Sequence, residues 1–272
     1  MIPNGFPKTL QDIRSTIRPI DGWLTDREAS FLALLGACPT ATGDILEIGS
    51  FRGRSTVVLA KAKQLVDGDD STLVAIDPLP NEEPMTESAR GERSARALFD
   101  LNLRQSGVDR EIEFHQAYSY DLAEEWNREL RLLWIDGDHS YPSTKQDFDL
   151  FSPHLVNGGM LAMHDVLSRY DGCIRVFSED VLNSPHFGAV GICGSIGWAQ
   201  YWDDPADAVE FSDQKQALHD QLLPLVDYHC QPESPRGLAK LHYKLLRARV
   251  PHQRVKPDRW IRSVRTDFAA HA

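Results

Sequence analysis

The segment LLWIDGDHSYPSTKQDFDLFSPHLVNGGMLAMHD (132–165) decides the fold, because it contains two apolar runs that each end on ionisable side chains. The run LLWI ends on DGDH at 136–139, and the run MLAM ends on HD at 164–165. Pro142, between the two runs, suits the first turn of a helix. The segment therefore predicts a strand, a helix and a second strand, a unit that brings both polar ends to the same edge of a parallel sheet.

The same alternation of strands and helices continues on both sides of this segment. Strands are predicted at 44–49, 72–77, 112–117, 130–136, 158–166, 189–195 and 196–202, and helices at 8–18, 26–37, 55–66, 90–107, 120–126, 144–155 and 174–182. The last two strands are joined too tightly for a crossover helix, so one of them must be antiparallel. We therefore predict an α/β, Rossmann-like, doubly wound, mostly parallel seven-stranded sheet with one antiparallel strand and helices on both faces.

Composition and charge narrow the class of protein. The chain has 272 residues and a net charge of −11, but residues 236–272 carry 10 Lys and Arg against 2 Asp and Glu. The acidic remainder argues against nucleic acid as a partner, while the basic tail is open to binding RNA or a membrane surface, or to packing on the acidic body. The four cysteines have no metal-site or redox spacing, and no segment resembles a secretion signal or a membrane span. These features predict a cytoplasmic protein.

A glycine-rich turn, LEIGSFRGRST (46–56), follows the first strand and leads into a helix. Gly49 and Gly53 would let the backbone approach a ligand, and the N–H groups of the first helical turn favour an anionic group. The dinucleotide fingerprint G-x-G-x-x-G is broken by Phe51 at its second glycine, which disfavours a pyrophosphate. Glu47, just before the turn, suits a cation instead. Asp77 at the end of the second strand can bind both hydroxyls of a ribose. An adenosine ligand with positive charge and no pyrophosphate, such as S-adenosylmethionine, fits these residues.

The motifs LEIGSFRGRSTVVLA, VAIDP and LLWIDGDHSYPSTKQDFDLF followed by GGMLAMHD resemble the class I S-adenosylmethionine-dependent methyltransferases. The resemblance is to the metal-dependent branch with macrolide-sugar O-methyltransferases and cephalosporin-hydroxylase-like proteins, and it covers about residues 40–202. It implies a donor site at Glu47, Gly49, Ser50, Gly53, Ser55, Asp77, Tyr118, Ser119 and Asp136. It also implies a divalent metal, Mg²⁺ in the first instance, held by Asp136, His164 and Asp165. His164 stands where relatives often have a carboxylate, and imidazole is a softer ligand than Mg²⁺ prefers.

These expectations define a mechanism and a division of the chain. His139, three residues after Asp136, is predicted to take the proton from a hydroxyl of a sugar, an oligosaccharide or a glycosylated metabolite, with Asp136 as its catalytic neighbour. Residues 1–42 are predicted to form an N-terminal helical segment, 43–205 the S-adenosylmethionine-binding catalytic domain, and 206–272 a basic helical extension. A homodimer is among the expected assemblies.

Several alternatives stay open at this point. A catechol would ligate a metal as well as a sugar does. A hydroxylase or oxidoreductase with the same fold could use Asp136, His164 and Asp165 as an iron site, and a catalytically silent binding module would retain the fold alone. The polar segment 78–94 reads as a mobile lid or as a solvated connector.

Overall fold

The computed structural model describes residues 1–66, 68–79, 94–231 and 233–264. Its strands are β1 (Asp44–Ile48), β2 (Leu73–Ile76), β3 (Ile112–His115), β4 (Leu130–Ile135), β5 (Leu155–Met163), β6 (Phe187–Cys193) and β7 (Ile196–Tyr201). Its helices are α1 (Phe6–Ile17), α2 (Asp26–Ala37), α3 (Arg54–Lys63), α4 (Ala95–Ser106), α5 (Ser119–Ala123), α6 (Tyr141–Phe151), α7 (Asp171–Arg175), α8 (Pro205–Ala208), α9 (Ser212–His229), α10 (Gly237–Arg249) and α11 (Pro257–Ser263).

All seven strands form one sheet in the order β3-β2-β1-β4-β5-β7-β6. The pairs among β1 to β5 are parallel, and β7 lies antiparallel to both β5 and β6. The predicted fold is therefore confirmed, including its single antiparallel strand. β2 and β3 are added on one side of β1, and β4 and β5 are added on the other side. The carboxyl ends of β1 and β4 therefore meet at a topological switch point, where ligands bind in folds of this type.

Helices cover both faces of the sheet, as the near-continuous apolar strands predict. On one face α1, α2, α3 and α4 pack on residues such as Ile45 and Trp134. On the other face α6, α7, α9 and α10 pack on residues such as Leu46 and Leu133. Successive residues of β1 thus point to opposite layers. The middle of β1 is therefore buried between the two layers of helices, and only the carboxyl end of the strand reaches the cleft.

Element boundaries depart from the sequence predictions in a few places. β5 spans Leu155–Met163 and ends before His164, which therefore lies in the turn. The predicted helix 174–182 is α7 followed by the π-helical turn Val176–Val181. The predicted helix 90–107 begins, within the described residues, at Ala95. Residues 80–93 of the predicted lid lie outside the described residues. The division of the chain into three segments stays a prediction.

None of the helices in the described part of the chain combines the length and the apolar character that crossing a bilayer requires. The predictions of a cytoplasmic location, a homodimer and no nucleic-acid partner stay predictions.

Candidate functional site

An open cleft of about 870 Å³ lies at the carboxyl end of the parallel strands. Of the predicted site residues, those that line it are Gly49, Ser50, Ser55, Asp77, Tyr118, Ser119, Asp136, His139, His164 and Asp165. They come from the ends of β1 to β5, because parallel strands deliver their carboxyl ends to one edge. The polar ends of the two apolar runs therefore meet in one cleft.

The turn after β1 is held in a left-handed conformation by its sequence. The φ angles of Gly49, Phe51 and Gly53 are 85°, 45° and 84°. A Cβ atom at Gly49 would lie 2.2 Å from the backbone oxygen of Asp136, so only glycine allows the turn to pack on the end of β4. Gly53 instead faces Phe99 of α4 and does not line the cleft. It stands at the N-cap of α3, and its predicted place beside the ligand stays a prediction.

Asp77 fixes the same turn from the end of β2. Its Oδ2 accepts hydrogen bonds from the backbone N–H of Ser50 at 2.8 Å and of Phe51 at 2.7 Å, and its Oδ1 accepts from Leu79 N–H at 2.8 Å. Oδ2 thereby uses both of its acceptor positions, whereas Oδ1 keeps one. Asp77 can therefore shape the glycine turn and still bind a ligand hydroxyl.

Glu47 does not take the position that the sequence predicts for it. Its side chain is fully buried and accepts hydrogen bonds from Ser55 at 2.5 Å and Thr56 at 2.6 Å, both at the start of α3. Burial raises its pKa to about 8, although the two hydroxyls lower it. Glu47 is directed at the start of α3 and is not among the residues that line the cleft, and its expected contact with a positively charged ligand stays a prediction.

The segment after β3 forms one side of the cleft. Tyr118 is exposed and stacks on Tyr120, with ring centroids 5.2 Å apart. The Ser119 hydroxyl donates to Asp147 on α6, a buried cleft residue that sequence reasoning missed. Burial raises the pKa of Asp147 to about 6, more than the hydrogen bond with Ser119 lowers it.

His139 and Asp165 form an ion pair at the mouth of the cleft. The Nε2 atom of His139 lies 3.0 Å from Oδ2 of Asp165. Burial lowers the pKa of His139, but the carboxylates of Asp165 and Asp136 outweigh burial and raise it. Asp165 adopts φ 60°, a strained conformation for a non-glycine residue, and its side chain also bonds Ser168. The turn after β5 is thus held so that this carboxylate faces His139.

His164 lies beneath this pair, at the bottom of the cleft. It is 3% exposed, and its Nδ1 lies 3.0 Å from Oδ1 of Asp136. Its Nε2 lies 3.8 Å from Oε2 of Glu28 on α2. Burial lowers the pKa of His164, but Asp136, Glu28 and Asp165 outweigh burial and raise it well above the ordinary value. His164 therefore joins a buried carboxylate of the N-terminal helices to the cleft.

Glu28 is a second residue that sequence reasoning missed as part of the site. It accepts hydrogen bonds from Thr25 N–H at 2.9 Å and from Ser195 N–H at 2.6 Å. The sequence signal for it is the capping box TDRE at 25–28, which begins α2. Burial raises the pKa of Glu28, but its hydrogen bonds with His164, Thr25 and Ser195 outweigh burial and hold it well below the usual range.

One group of side chains among the described residues can converge on a metal ion: Asp136, His139 and Asp165, whose ligand atoms lie within 4.8 Å of one another. Two carboxylates and an imidazole are a chemically reasonable donor set for a divalent cation. This group contains His139 where the sequence predicts His164, because the Nδ1 of His164 is directed at Asp136 and its ring is buried. The predicted ligand set of Asp136, His164 and Asp165 stays a prediction.

Comparison with known proteins agrees with the fold and the glycine turn. Residues 46–166 match the family model described as Methyltransferase domain. An uncharacterised protein, R132, of Acanthamoeba polyphaga mimivirus is 27% identical over 125 residues, which are 44% of this chain and 50% of that protein, so the chain spans about half the length of this curated relative.

Solved structures extend the comparison to most of the chain. An O-methyltransferase from Bacillus cereus, in complex with S-adenosylhomocysteine, has a TM-score of 0.50 and 18% identity, and the match covers 71% of this chain and 90% of that chain. The O-methyltransferase TomG from Streptomyces achromogenes, in complex with S-adenosylmethionine, has a TM-score of 0.51 and 20% identity over 72% of this chain and 90% of that chain. Residues 46–166 of the chain are thus similar to a methyltransferase domain, and the seven-stranded sheet shares its fold with the two solved O-methyltransferases.

Proposed function

We propose that this protein transfers a methyl group from S-adenosylmethionine to a hydroxyl oxygen of a small, sugar-containing acceptor, with His139 as the general base. The observation that carries the proposal is the pair of His139 and Asp165, 3.0 Å apart, in the same cleft as the glycine turn. A histidine that is oriented by a carboxylate is suited to taking a proton from a weakly acidic hydroxyl. The ligands bound to the two compared O-methyltransferases support the choice of donor.

The donor would lie between the glycine turn and the segment after β3. Gly49 and Ser50 would face its methionine part, Asp77 its ribose hydroxyls, and Tyr118 its adenine ring. This order follows the cleft from Asp136 to the exposed aromatic side chains. Asp77 is already held by the N–H groups of the turn, so the donor site needs little rearrangement on binding.

The reaction is an in-line displacement at the methyl carbon. The hydroxyl oxygen of the acceptor forms a bond with that carbon, while the bond from carbon to sulfur breaks and its electrons stay on sulfur. The hydroxyl proton goes to Nδ1 of His139, the ring nitrogen that does not face Asp165, and Asp165 stabilises the resulting imidazolium through its contact with Nε2. The products are a methyl ether and S-adenosylhomocysteine. His139 then loses its proton to solvent.

The two carboxylates beside His139 fit a divalent cation, for which we propose Asp136 and Asp165 as ligands. Two like charges this close are costly without a compensating charge. When bound, a divalent cation would acidify a hydroxyl that it ligates and offset the negative field at His139. A neutral imidazole has one lone pair, so His139 cannot use it both to bind a cation and to take a proton. Our proposal assigns that lone pair to proton transfer.

The acceptor is proposed to be a sugar because an exposed aromatic ring stands at the wall of the cleft. Trp23 is 77% exposed, lines the cleft and packs on Phe51 with ring centroids 5.3 Å apart. A broad aromatic surface beside carboxylates is suited to the apolar face and the hydroxyls of a sugar. A catechol remains the alternative acceptor, and its more acidic hydroxyl would depend less on His139.

The test is a transfer assay with labelled S-adenosylmethionine, Mg²⁺ and a panel of sugars and phenols. We expect label in a methyl ether of a sugar, and a loss of about 10²- to 10⁴-fold in turnover for His139→Ala with donor affinity near wild type. Asp138→Asn, which changes a neighbouring cleft carboxylate outside the converging group, is the matched control. Methylation of phenols alone, or full turnover of His139→Ala on sugars, would refute the assignment.

A further inference from the structure

A second cleft, of about 720 Å³, lies between the carboxyl end of α9 and the side of α10. Its wall carries four cationic side chains: Arg169, Lys240, Lys244 and Arg247. Glu233 is the carboxylate among the residues that line it, and its Oε2 lies 3.9 Å from Arg236 outside the cleft. A strongly cationic cavity in a chain of net charge −11 needs an explanation.

These four cations have no carboxylate partner within the part of the chain that the structure describes. Within residues 1–66, 68–79, 94–231 and 233–264, no carboxylate lies within 4.0 Å of the charged atoms of Arg169, Lys240, Lys244 or Arg247. The Nε atom of Arg247 is buried and has no hydrogen-bond partner among the described residues. A buried donor without a partner costs free energy unless a ligand satisfies it. The cavity is therefore suited to an anion.

The second cleft adjoins the methyl-transfer cleft through Arg169 and Tyr170, which line both. The ring of Tyr170 contacts that of His139, with centroids 4.6 Å apart. Tyr170 is held from behind, because its backbone oxygen lies 3.1 Å from Nδ1 of His229, whose Nε2 lies 3.3 Å from the hydroxyl of Tyr243. A molecule placed with its hydroxyl at His139 can thus reach past Tyr170 into the cationic cavity.

We propose that the second cleft binds an anionic group of the acceptor, either a phosphoryl group or a carboxylate, while the reacting hydroxyl lies at His139. This inference rests on the proposed function and narrows it to acidic acceptors. The four cationic side chains would determine specificity and would not take part in proton transfer: Arg169, Lys240, Lys244 and Arg247. The cavity is concave and adjoins a catalytic cleft, which favours a small acidic acceptor over a nucleic-acid strand.

The first test measures anion binding without turnover. The full chain, saturated with S-adenosylhomocysteine, is titrated by calorimetry with inorganic pyrophosphate and separately with citrate. We compare the wild type, Lys240→Ala/Lys244→Ala and the control Lys8→Ala/Arg18→Ala, which removes the same charge from exposed positions in and after α1. We expect the first double variant to weaken binding of at least one anion by about tenfold or more and the control to leave it within about twofold.

Three outcomes of this titration would overturn the proposal: no binding of either anion to the wild type, equal weakening in the control, or tighter binding of a single-stranded RNA oligonucleotide that the cleft variant loses. Affinity for S-adenosylhomocysteine should be unchanged in every variant, which confirms that each one folds. If the wild type does not bind S-adenosylhomocysteine, the proposed function fails. The anion titration, repeated without S-adenosylhomocysteine, still tests anion binding in the second cleft.

The second test connects the cavity to the acceptor. Sugars are assayed as matched sets of the neutral compound, its phosphate ester and its uronic acid. We expect a lower KM for one acidic member, and we expect Lys240→Ala/Lys244→Ala to raise that KM about tenfold with kcat retained. The member that responds identifies the anion. Equal KM values for all members of each set, or an effect of the variant on the neutral sugar alone, would contradict the proposal.

Discussion

Glu47 and Glu28 offer a stability experiment in which two buried glutamates behave in opposite ways. Glu47 is fully buried with a pKa of about 8, so it is mostly neutral at pH 7. Glu28 is also buried, but its hydrogen bonds hold its pKa well below the usual range, so it is an anion. Glutamine therefore replaces a mostly neutral side chain at position 47 and a negatively charged side chain at position 28.

The size of the Glu47 effect follows from its two pKa values. An unfolded chain titrates this group at 4.5 and the folded chain at about 8, which corresponds to about 5 kcal/mol over the whole range. Because the folded pKa is raised, the stability that neutral Glu47 provides is complete below about pH 4.5 and is lost as pH rises towards 8. Between pH 5 and pH 8 the wild type should lose about 3.5 kcal/mol through this group, and Glu47→Gln should not.

The assay is urea unfolding, followed by tryptophan fluorescence, at pH 5, 6.5 and 8. The difference in unfolding free energy between Glu47→Gln and wild type should shift by about 3.5 kcal/mol in favour of the variant across this range. Groups common to both proteins cancel in this difference. Glu28→Gln should be less stable than wild type by a nearly constant amount, since Glu28 is ionised in both the folded and the unfolded chain over most of that range. A Glu47→Gln difference that changes by less than about 1 kcal/mol would mean that Glu47 is charged in the folded protein, and would refute the reasoning.

Three further predictions concern the cleft. EDTA should abolish turnover and Mg²⁺ or Mn²⁺ should restore it, whereas full turnover in EDTA would refute a metal role. Asp165→Asn should weaken binding of the activating metal by about 10- to 100-fold, measured as the metal concentration at half-maximal rate. His139→Ala should leave metal affinity, measured by Mn²⁺ binding, near wild type while turnover falls, whereas a matching loss of Mn²⁺ affinity would make His139 a ligand. Gly49→Ala should lose S-adenosylhomocysteine binding and several kcal/mol of stability in urea, because its Cβ would lie 2.2 Å from the backbone oxygen of Asp136; wild-type binding in this variant would contradict that packing.

The sheet and the location of the cleft were predictable from the sequence because both depend on local patterns. Apolar runs separated by helical segments determine a parallel sheet, and the residue after each run must emerge at the carboxyl edge. His139 and Asp165 could be predicted to lie close together on that basis. Asp77 could be placed at the glycine turn for the same reason.

The roles of individual histidines were not predictable, because they depend on packing between distant parts of the chain. His164 points to Asp136 and towards Glu28, and that orientation depends on how α2 packs against the end of β5. The burial of Glu47 has a simpler reason. This residue alternates with Leu46 and therefore faces α3, where Ser55 and Thr56 bind it, instead of emerging at the edge.

The contact between Glu28 and His164 has a consequence for the modularity of this protein. A shortened chain that begins at the sheet would lack α2 and would leave His164 buried without one of its anions. The hydrogen bonds that Glu28 accepts from Ser195, in the turn between β6 and β7, would be lost at the same time. α2 consequently supports the base of the cleft from behind, through Glu28, and we expect that a fragment of this chain with an intact cleft must include α2.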